Sequence, residues 1–521
     1  MVDAIILLLL LIPAGLVVLF GIFLAFVAIY DIFFQTHHAI LHNYPVVGHL
    51  RYILERFGPE LRQYIVTNND EERPFTRDQR RWVYASSKGE NNLFGFGTDN
   101  ELEGVDNYLI IQHATFPWHG AEFEGEFHPV PCARVLGAHR GRKKAFRPPS
   151  ILSVSAMSFG SLSGTAVEAI NQGCKLSGAL HNTGEGGISP HHDQGGPLIW
   201  QLGTGYFGAR THDGRLDIDK LVEKCARYNV HAIELKLSQG AKPGKGGVLP
   251  GAKVTPEIAA IRDVPVGQTV VSPPFHSAFS DADSMLDLVE EIAERTGLPV
   301  GIKTAVGHMG FFVDLAELMA RGDRGVDYIQ IDGGEGGTGA APLVFSDHVA
   351  YPFLVGFTRV YRIFAERGVH RDLLWAGSGK LGFPERATLA MALGCDWVAV
   401  AREAMLSIGC IQAQKCHTGH CPTGVATQEP WLVKGLDPTH KASRFANYVA
   451  TFRHEVLALA HATGNPHPAF VGIDHLDILD SGYGTRGIAE VFGYEPGWGS
   501  IPDADQQAVL ELLGAHAEAA K

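Results

Sequence analysis

Short apolar runs alternate with amphipathic segments across residues 151–401, and this alternation limits what the chain can fold into. The runs end in glycine or small residues and read ILSVSAM, LIWQLGTG, HAIELKLS, PVGIKTAV, VDYIQIDGG, LLWAGSGK and DWVAVA. Buried parallel strands are apolar on both faces, and helical crossovers connect them. About seven or eight such units predict a (β/α)8 TIM barrel, with an open doubly wound sheet as the alternative.

Glycines and polar residues concentrate where the predicted strands end. In a (β/α)8 barrel, the loops at the carboxyl ends of the strands carry the chemistry. These loops read MSFGS, NTGEGG, SQGAKPGKGG, KTAVGH, DGGEGGTGA, AGSGK and AREAM. We therefore expect the functional site at that face of the barrel.

Two late loops have the composition of a phosphate-binding site. The glycines of AGSGK (Ala376–Lys380) let backbone N–H groups approach an anion, and Lys380 and Arg402 add positive charge. Tight turns without a ligand would contain the same glycines. The last two loops of a barrel often hold phosphate, which favours a phosphate-bearing ligand. The sequence alone does not exclude a plain turn.

Lys303 ends an apolar run, VGIKTAVG, where an unpaired ammonium is costly to bury. We expect it to face the barrel mouth, where in a flavoenzyme it could balance negative charge on the reduced ring. A lysine that only extends to solvent is the alternative. The glycine-rich loop DGGEGGTGA (Asp332–Ala340) would let a flat ring or a substrate lie against its backbone.

Three of the seven cysteines fall within CIQAQKCHTGHCP, at Cys410, Cys416 and Cys421. Zinc would need a fourth ligand, which His417 or His420 could supply, and a four-iron cluster would normally need a fourth thiolate. The spacing alone admits zinc or an iron–sulfur cluster. The remaining cysteines stand singly in apolar or helical contexts, and we interpret them as packed thiols: Cys132, Cys174, Cys225 and Cys395.

The run from Ala4 to Tyr30 contains no charged side chain. A helix of that length reaches about 40 Å, against about 30 Å for the hydrocarbon core of a bilayer. A cleaved signal peptide is the alternative, but no basic segment precedes the run. Arginines follow it, at 51, 56, 62 and 73, so the positive-inside tendency predicts a single-pass membrane protein whose catalytic domain faces the cytoplasm.

The net charge of −13 argues against a nucleic-acid partner. No Gly-x-Gly-x-x-Gly follows a predicted strand with a matching acidic residue, so we expect no nicotinamide-binding domain.

Five motifs, in this order, closely resemble the FMN-binding synthase domain of glutamate synthase. The resemblance spans roughly residues 85–475, and the motifs are MSFGSLS (157–163), NTGEGG (182–187), KLSQGAKPGKGGVLPGAKV (236–254), QIDGGEGGTGAAPL (330–343) and CIQAQKCHTGHCPTGVATQ (410–428). The resemblance implies a (β/α)8 barrel that holds FMN, a [3Fe-4S] cluster beside it, and 2-oxoglutarate over the flavin.

The resemblance also implies roles for individual residues. The cluster ligands would be Cys410, Cys416 and Cys421. The flavin would contact Ala156, Met157, Ser158, Lys303, Gly334, Gly337, Gly379, Lys380 and Arg402. Gln239 and Lys242 would hold the carboxylates of the 2-oxo acid, and Glu185 would lie near the ammonia position.

The chain departs from the family in several ways. A membrane run stands where the large glutamate synthase subunit has a glutaminase domain with an N-terminal cysteine, so we expect no glutamine hydrolysis by this chain. We also expect this chain to lack the long C-terminal domain of that subunit. Lys245 replaces a residue that is usually acidic, and AGSGK replaces a loop with Asp and Arg.

The resulting expectation is a glutamate synthase-like oxidoreductase (EC 1.4 class) with four parts. These are a membrane anchor (1–30), a linker and packing region (31–100), the barrel with its iron–sulfur insertion (101–475) and a helical tail (476–521). Ammonia or another amine would come from outside or from a glutaminase partner, and electrons from ferredoxin or a reductase subunit. The alternatives are a non-catalytic redox subunit of a membrane complex and, less in keeping with three clustered cysteines, a 2-hydroxy-acid oxidase.

Overall fold

The computed structural model describes residues 2–519 except 36, 67, 68, 70, 103, 124 and 481. Its helices are α1 (Val2–Phe33), α2 (Ala39–Asn43), α3 (Val47–Tyr64), α4 (Arg77–Lys88), α5 (Gly164–Ser177), α6 (Ile218–Arg227), α7 (Pro256–Arg262), α8 (Ala282–Thr296), α9 (Gly310–Met319), α10 (Leu343–His348), α11 (Phe353–Glu366), α12 (Pro384–Ala392), α13 (Arg402–Ser407), α14 (Pro430–Val433), α15 (Pro438–Ala462), α16 (Ile488–Phe492) and α17 (Asp503–Ala519). Its strands are β1 (Tyr108–Ile111), β2 (Leu152–Val154), β3 (His181–Asn182), β4 (Leu198–Leu202), β5 (Val230–Lys236), β6 (Val248–Leu249), β7 (Val270–Val271), β8 (Val300–Thr304), β9 (Tyr328–Asp332), β10 (Leu374–Ser378), β11 (Trp397–Val400), β12 (Leu476–Leu479) and β13 (Thr485–Gly487).

Two compact units make up the chain, Met1–Arg77 and Asp78–Lys521. The first holds α1, α2 and α3, and the second holds the barrel. This division rests on compactness alone, and the four-part division expected from the sequence stays a prediction.

Helix α1 is long and apolar enough, over Leu11–Phe33, to cross a membrane. In the most apolar 18-residue window of that segment, no side chain is buried within the structure. A signal sequence near an N-terminus meets the same criterion of length and composition, so α1 is a candidate membrane span.

The second unit is built on a closed barrel of eight parallel strands, in the order β2, β3, β4, β5, β8, β9, β10, β11 and back to β2. Strands β6 and β7 do not interrupt it, because they pair with each other as a separate antiparallel hairpin. The predicted (β/α)8 barrel is therefore confirmed, and the open sheet is excluded.

One barrel strand, β3, was not predicted, because it does not form an apolar run in the sequence. It contains only His181 and Asn182, and it is bonded to β2 through Val154 and to β4 through Leu198 and Ile199. Two polar residues cannot produce an apolar run, so the sequence revealed only the loop NTGEGG that begins there.

An apolar plug closes the barrel at the amino ends of its strands. The first residues of β9, β10 and β11 are buried there, and they pack with Cys132 and Leu136 from the segment that precedes β2. Because the plug fills one end, the opposite end is left for the loops that carry polar residues.

Four cysteines are free and buried, as the sequence predicted for packed thiols: Cys132, Cys174, Cys225 and Cys395. The C-terminal helix α17 buries Val509 and Leu513 in a cluster with Phe123 and Ala133.

Candidate active site at the carboxyl ends of the barrel strands

A buried ion pair lies where β8 and β9 end. Lys303 Nζ is 3.6 Å from Asp332 Oδ2 and donates to the Ser155 hydroxyl at 3.4 Å. Gln330 Nε2 donates to the same hydroxyl oxygen at 3.5 Å. Lys303 is only 4% exposed, and a buried ammonium needs a partner, which Asp332 provides. The barrel mouth therefore contains a fixed cation.

A second charged group surrounds Glu185, in the loop after β3. Its Oε2 lies 3.1 Å from Lys236 Nζ, and that ammonium also donates to Gln239 Oε1 at 2.5 Å. Burial raises the pKa of the carboxyl, but the charges of Lys236, Lys242 and Arg262 outweigh this effect and hold the pKa below its usual value. One ionised carboxylate thus faces three cations, and the group keeps positive charge for an anionic ligand.

Lys242 and Arg262 are the buried cations of this group. Lys242 Nζ donates to the Gly246 carbonyl at 3.0 Å, and Arg262 Nη2 donates to the Phe159 carbonyl at 3.0 Å. Burial lowers the pKa of Lys242, and the charges of Lys236 and Lys245 lower it further, against the opposite effect of Glu185. Each of these cations donates to a neutral carbonyl oxygen, and this hydrogen bond does not neutralise its positive charge.

Lys245, where we expect a departure from the family pattern, lies above the Phe345 ring at 4.9 Å from its centre. The electrostatic consequence is a more positive loop next to Lys242.

Beneath these groups, Glu234 of β5 is buried in the barrel interior. Its Oε1 accepts from Asn182 Nδ2 at 2.8 Å and from Gln201 Nε2 at 2.6 Å, and Tyr328 donates to Oε2 at 3.4 Å. Burial raises the pKa of Glu234, and the charge of Lys303 opposes that shift. The network joins four barrel strands in a single polar layer below the site.

The segment after β2 lines the same mouth. Ala156, Met157 and Ser158 follow the last residue of β2 closely, and Met157 and Ser158 are buried. The Met157 amide donates to the Asn182 carbonyl at 3.4 Å, and the Ser158 hydroxyl is 2.9 Å from that of Ser161. These contacts fix the backbone of the segment beside β3.

The loops after β9, β10 and β11 pack on one another around Glu335. Its carboxylate accepts from the Phe353 amide at 2.9 Å, and its carbonyl accepts from Arg402 Nη2 at 2.5 Å. Gly379 has φ +150°, and a Cβ there would lie 2.9 Å from the Phe353 Cβ. Burial raises the pKa of Glu335, and the charges of Lys380 and Arg402 lower it. Both predicted cations therefore act on this loop.

The predicted glycines of the β9 loop also make close contacts. A Cβ at Gly334 would lie 2.7 Å from the Ala350 carbonyl oxygen, and one at Gly337 would lie 3.4 Å from the Arg402 Cδ. The loop thus has no room for a side chain at Gly334, whereas a Cβ at Gly337 would make an ordinary van der Waals contact.

The cysteine loop lies next to the β9 loop. A Cβ at Gly339 would be 3.0 Å from the Cys416 carbonyl oxygen, and Lys253 Nζ donates to that oxygen at 3.1 Å. Between the first two cysteines, Gln412 and Gln414 have φ +57° and +55°, so the chain curls back on itself. The predicted cysteines are therefore adjacent to the predicted flavin loop.

The three thiols influence one another. Burial raises the pKa of Cys410 to about 12, and the charges of Cys416 and Cys421 add to that shift. Burial also raises the pKa of Cys421, but hydrogen bonds from Thr423 and neighbouring backbone groups outweigh it, so that pKa is lowered. In the described part of the chain, no group of three or more His, Cys, Asp and Glu is arranged to hold a metal ion. The thiols are thus close together without forming a preassembled metal site.

The structure brings together the residues that the sequence proposed, and it adds others. Glu185, Gln239 and Lys242 share one group, while Lys303 lies in the ion pair. Lys236 was missed although it ends a strand as Lys303 does, so the same argument would have found it. Arg262 comes from α7, and nothing in its local sequence indicates the site. Asp332, Ser155 and Glu234 were recognised only by their contacts.

A closed parallel barrel with buried cations at the carboxyl ends of its strands defines a (β/α)8 enzyme. Residues 138–466 match the conserved region in glutamate synthase. The glutamate synthase large subunit-like protein YerD of Bacillus subtilis is 37% identical over 85% of this chain and 90% of its own length. The chain belongs to the glutamate synthase family, and it is an oxidoreductase of that type.

Other relatives match a smaller part. The archaeal glutamate synthase [NADPH] of Methanocaldococcus jannaschii is 36% identical over 60% of this chain and 59% of its own length. The glutamate synthase large subunit-like protein of Rhizobium meliloti is 30% identical over 74% of this chain and 86% of its own length. Among solved structures, a flavocytochrome b2 variant with sulfite bound is similar at a TM-score of 0.44 and 14% identity, over 84% of this chain and 88% of that one.

Proposed function

We propose that this chain reductively aminates 2-oxoglutarate to glutamate, with FMN and a [3Fe-4S] cluster as its cofactors. The observation that carries the proposal is the group of three cations around Glu185, next to the Lys303–Asp332 pair. A five-carbon dicarboxylate with two negative charges needs cations at both ends, and this group supplies them without a metal ion. Membership of the glutamate synthase family supports the same substrate.

The residues around the barrel mouth fit FMN. The loops after β9 and β10 lack side chains at Gly334, Gly337 and Gly379, and Lys380 and Arg402 supply positive charge for the phosphate. Ala156, Met157 and Ser158 would flank the ring, and Lys303 would place its charge against it. When bound, FMN supplies the hydride that converts a 2-imino acid to an amino acid.

The cysteine loop fits a three-iron cluster in its donor chemistry. Hydrogen bonds lower the pKa of Cys421 and so stabilise its thiolate, and the Cys410 sulfur accepts a backbone N–H from Gln412 at 3.4 Å. Burial raises the pKa of Cys410 and Cys416, so these two thiols would lose their protons on binding iron. Three thiols with no fourth suit a cluster of three irons. A bound cluster supplies one-electron transfer to the flavin, whose predicted loop is in contact with Cys416.

The protein groups have separable tasks in this reaction. Lys242 and Arg262 bind and orient the two carboxylates of the substrate. Glu185, held ionised by its three cationic neighbours, accepts a hydrogen bond from ammonia and directs the nitrogen lone pair toward C2. Addition to C2 and loss of water give the 2-imino acid, and its C2 is then held facing the flavin. Gln239 is oriented by its hydrogen bond from Lys236.

Ammonia or another amine, free or from a glutaminase partner, is the proposed nitrogen source. Ferredoxin or a reductase subunit is the proposed electron donor. We also propose that α1 anchors the chain in a membrane with the barrel on the cytoplasmic side, supported by its apolar length and by the arginines that follow it.

The cofactor proposal is tested by anaerobic purification of the full chain with determination of FMN and iron. We expect one FMN and about three irons per chain. A colourless, iron-free preparation would contradict the proposal.

An Arg262→Gln variant should raise the KM for 2-oxoglutarate about tenfold or more, whereas the exposed-surface control Arg215→Gln should not. Cofactors without turnover, together with a stoichiometric partner protein, would instead indicate a redox subunit.

A further inference from the structure

Helix α3 has an apolar face that other described residues leave exposed. Its apolar residues recur at spacings of three and four: Val47, Leu50, Leu54, Phe57 and Leu61. This spacing places them on one side of a helix. Their exposed fractions run from 43% for Leu61 to 70% for Val47. A face of this kind in water would be a site for association.

The remaining arc of α3 is charged. Arg51, Glu55, Arg56 and Arg62 project there, and Arg51 and Glu55 are more than half exposed. On a helical projection, Arg51 and Arg62 lie along the same edge of the apolar face. A helix with an apolar face and a charged face has the composition of one that lies in the plane of a membrane interface.

The start of α3 lies in space beside the end of α1. Asp31, in the last turn of α1, accepts from the Val46 amide at 3.0 Å and contacts His49 Nε2 at 2.9 Å. Asp31 is only 1% exposed, so this connection is enclosed. The first turn of α3 is therefore held beside the last turn of α1.

Aromatic residues mark that end of α1. Tyr30, Phe33 and Phe34 are 53%, 73% and 70% exposed. Aromatic side chains concentrate where a membrane span reaches the headgroup layer. The connection through Asp31 places the start of α3 at the same level.

We propose that α3 lies in the headgroup layer of a membrane, with its apolar face toward the acyl chains. This inference rests on the proposed anchoring by α1. A lipid surface is the occupant that fits, because the apolar face begins at the level of the exposed aromatics of an uncovered apolar helix. Arg51 and Arg62 are paired with Glu55 at 3.9 Å and with Glu71 at 2.5 Å, so the apolar face and its level carry the placement, not the charge.

The test uses added tryptophan fluorescence, since all seven native tryptophans lie beyond residue 77. Full-length Phe57→Trp and the matched control Glu55→Trp are reconstituted into vesicles of phosphatidylcholine and phosphatidylglycerol, with and without brominated acyl chains. After subtraction of the unsubstituted protein, we expect the bromines to quench the Phe57→Trp emission at least about threefold more than the Glu55→Trp emission. Leu50→Trp provides an independent position on the same face.

Vesicle flotation and alkaline carbonate extraction of the same samples separate the two proposals. Protein that does not stay with the vesicles overturns the anchor and this inference together. Protein that stays with them, but whose Phe57→Trp and Leu50→Trp emission is not quenched, overturns the placement of α3 alone. A blue-shifted but unquenched Phe57→Trp signal would place this face against protein, and would also overturn it.

Discussion

Lys236 and Lys303 lie in register on neighbouring strands, β5 and β8, yet they face different carboxylates. Lys236 pairs with Glu185, and Lys303 pairs with Asp332. Each pair lets a buried ammonium keep its charge in a place where an unpaired one would be costly. In the proposed reaction, the 2-oxo acid would bind on the side of the Glu185 pair and the flavin ring on the side of the Asp332 pair.

The pH dependence of substrate use should depend on Lys242. Burial lowers its pKa below the ordinary lysine value of about 10.4, so the free enzyme loses this cation at a lower pH than an exposed lysine would. We expect kcat/KM for 2-oxoglutarate to fall as pH rises through that lowered pKa, approaching about tenfold per pH unit. The measurement is a kcat/KM profile at a fixed concentration of free ammonia.

Lys242→Arg is the matched control, because a guanidinium stays protonated over the same range. Its decline should move to higher pH even if its maximal rate is lower. If the unsubstituted protein and Lys242→Arg gave the same kcat/KM profile against pH, Lys242 would not bind the substrate carboxylates.

Single residues were predictable from the sequence only where local context constrained them. Lys303 was predicted because an isolated lysine at the end of an apolar strand is costly to bury without a partner. Arg262 and Glu234 gave no such signal, since one comes from a distant helix and the other is buried by strands far apart in sequence. Their roles depend on barrel closure, which composition and spacing do not encode.

At the scale of elements, the backbone of the loop after β5 packs directly against the backbone of the loop after β9. A Cβ at Gly240 would lie 1.8 Å from the Gly333 carbonyl oxygen, and the Gly240 amide donates to Asp332 Oδ2 at 2.9 Å. The loops after β5 and β9 are therefore packed directly on each other, with no side chain between them at this point.

Gly240→Ala should break this contact. Because the new methyl group meets backbone and not a flexible side chain, we expect a loss of about 1–3 kcal/mol in the free energy of unfolding and a lower FMN content. Gly307→Ala is the control, since a Cβ there meets no atom within 4 Å. Denaturant titration and flavin absorbance measure the two effects, and equal stability of both variants would refute the fitted contact.

The cysteine loop makes a separable prediction. Cys416→Ser should lose iron and the visible absorbance of the cluster while it keeps FMN, because the flavin residues lie on other loops. Cys225→Ser, which changes a buried cysteine of α6, should keep both cofactors. Full iron content in Cys416→Ser would exclude Cys416 as a ligand.

The elements were predictable to different degrees. Seven barrel strands are visible as apolar runs because parallel strands are buried on both faces. Strand β3 is not visible, because two residues, both polar, carry no periodicity. The cysteine loop was recognisable from its spacing, but its contact with the β9 loop depends on the left-handed residues Gln412 and Gln414, which are not glycines.

At the scale of the whole molecule, the chain combines a barrel oxidoreductase with an N-terminal unit that contains the long apolar helix α1. The sequence predicted both from long-range patterns, namely strand–helix alternation and an uninterrupted apolar run. The barrel is confirmed by its closed strand order, and the membrane anchor stays a prediction.

The central claim is that this barrel forms glutamate from 2-oxoglutarate by itself once it has electrons. The direct measurement is a single-turnover experiment in which anaerobically reduced protein is mixed with 2-oxoglutarate and ¹⁵N-ammonium. The account predicts flavin reoxidation that requires both substrates, with about one ¹⁵N-labelled glutamate formed for each reduced flavin. Reduced flavin that stays reduced in the presence of both substrates, or is reoxidised without any labelled glutamate, would contradict it.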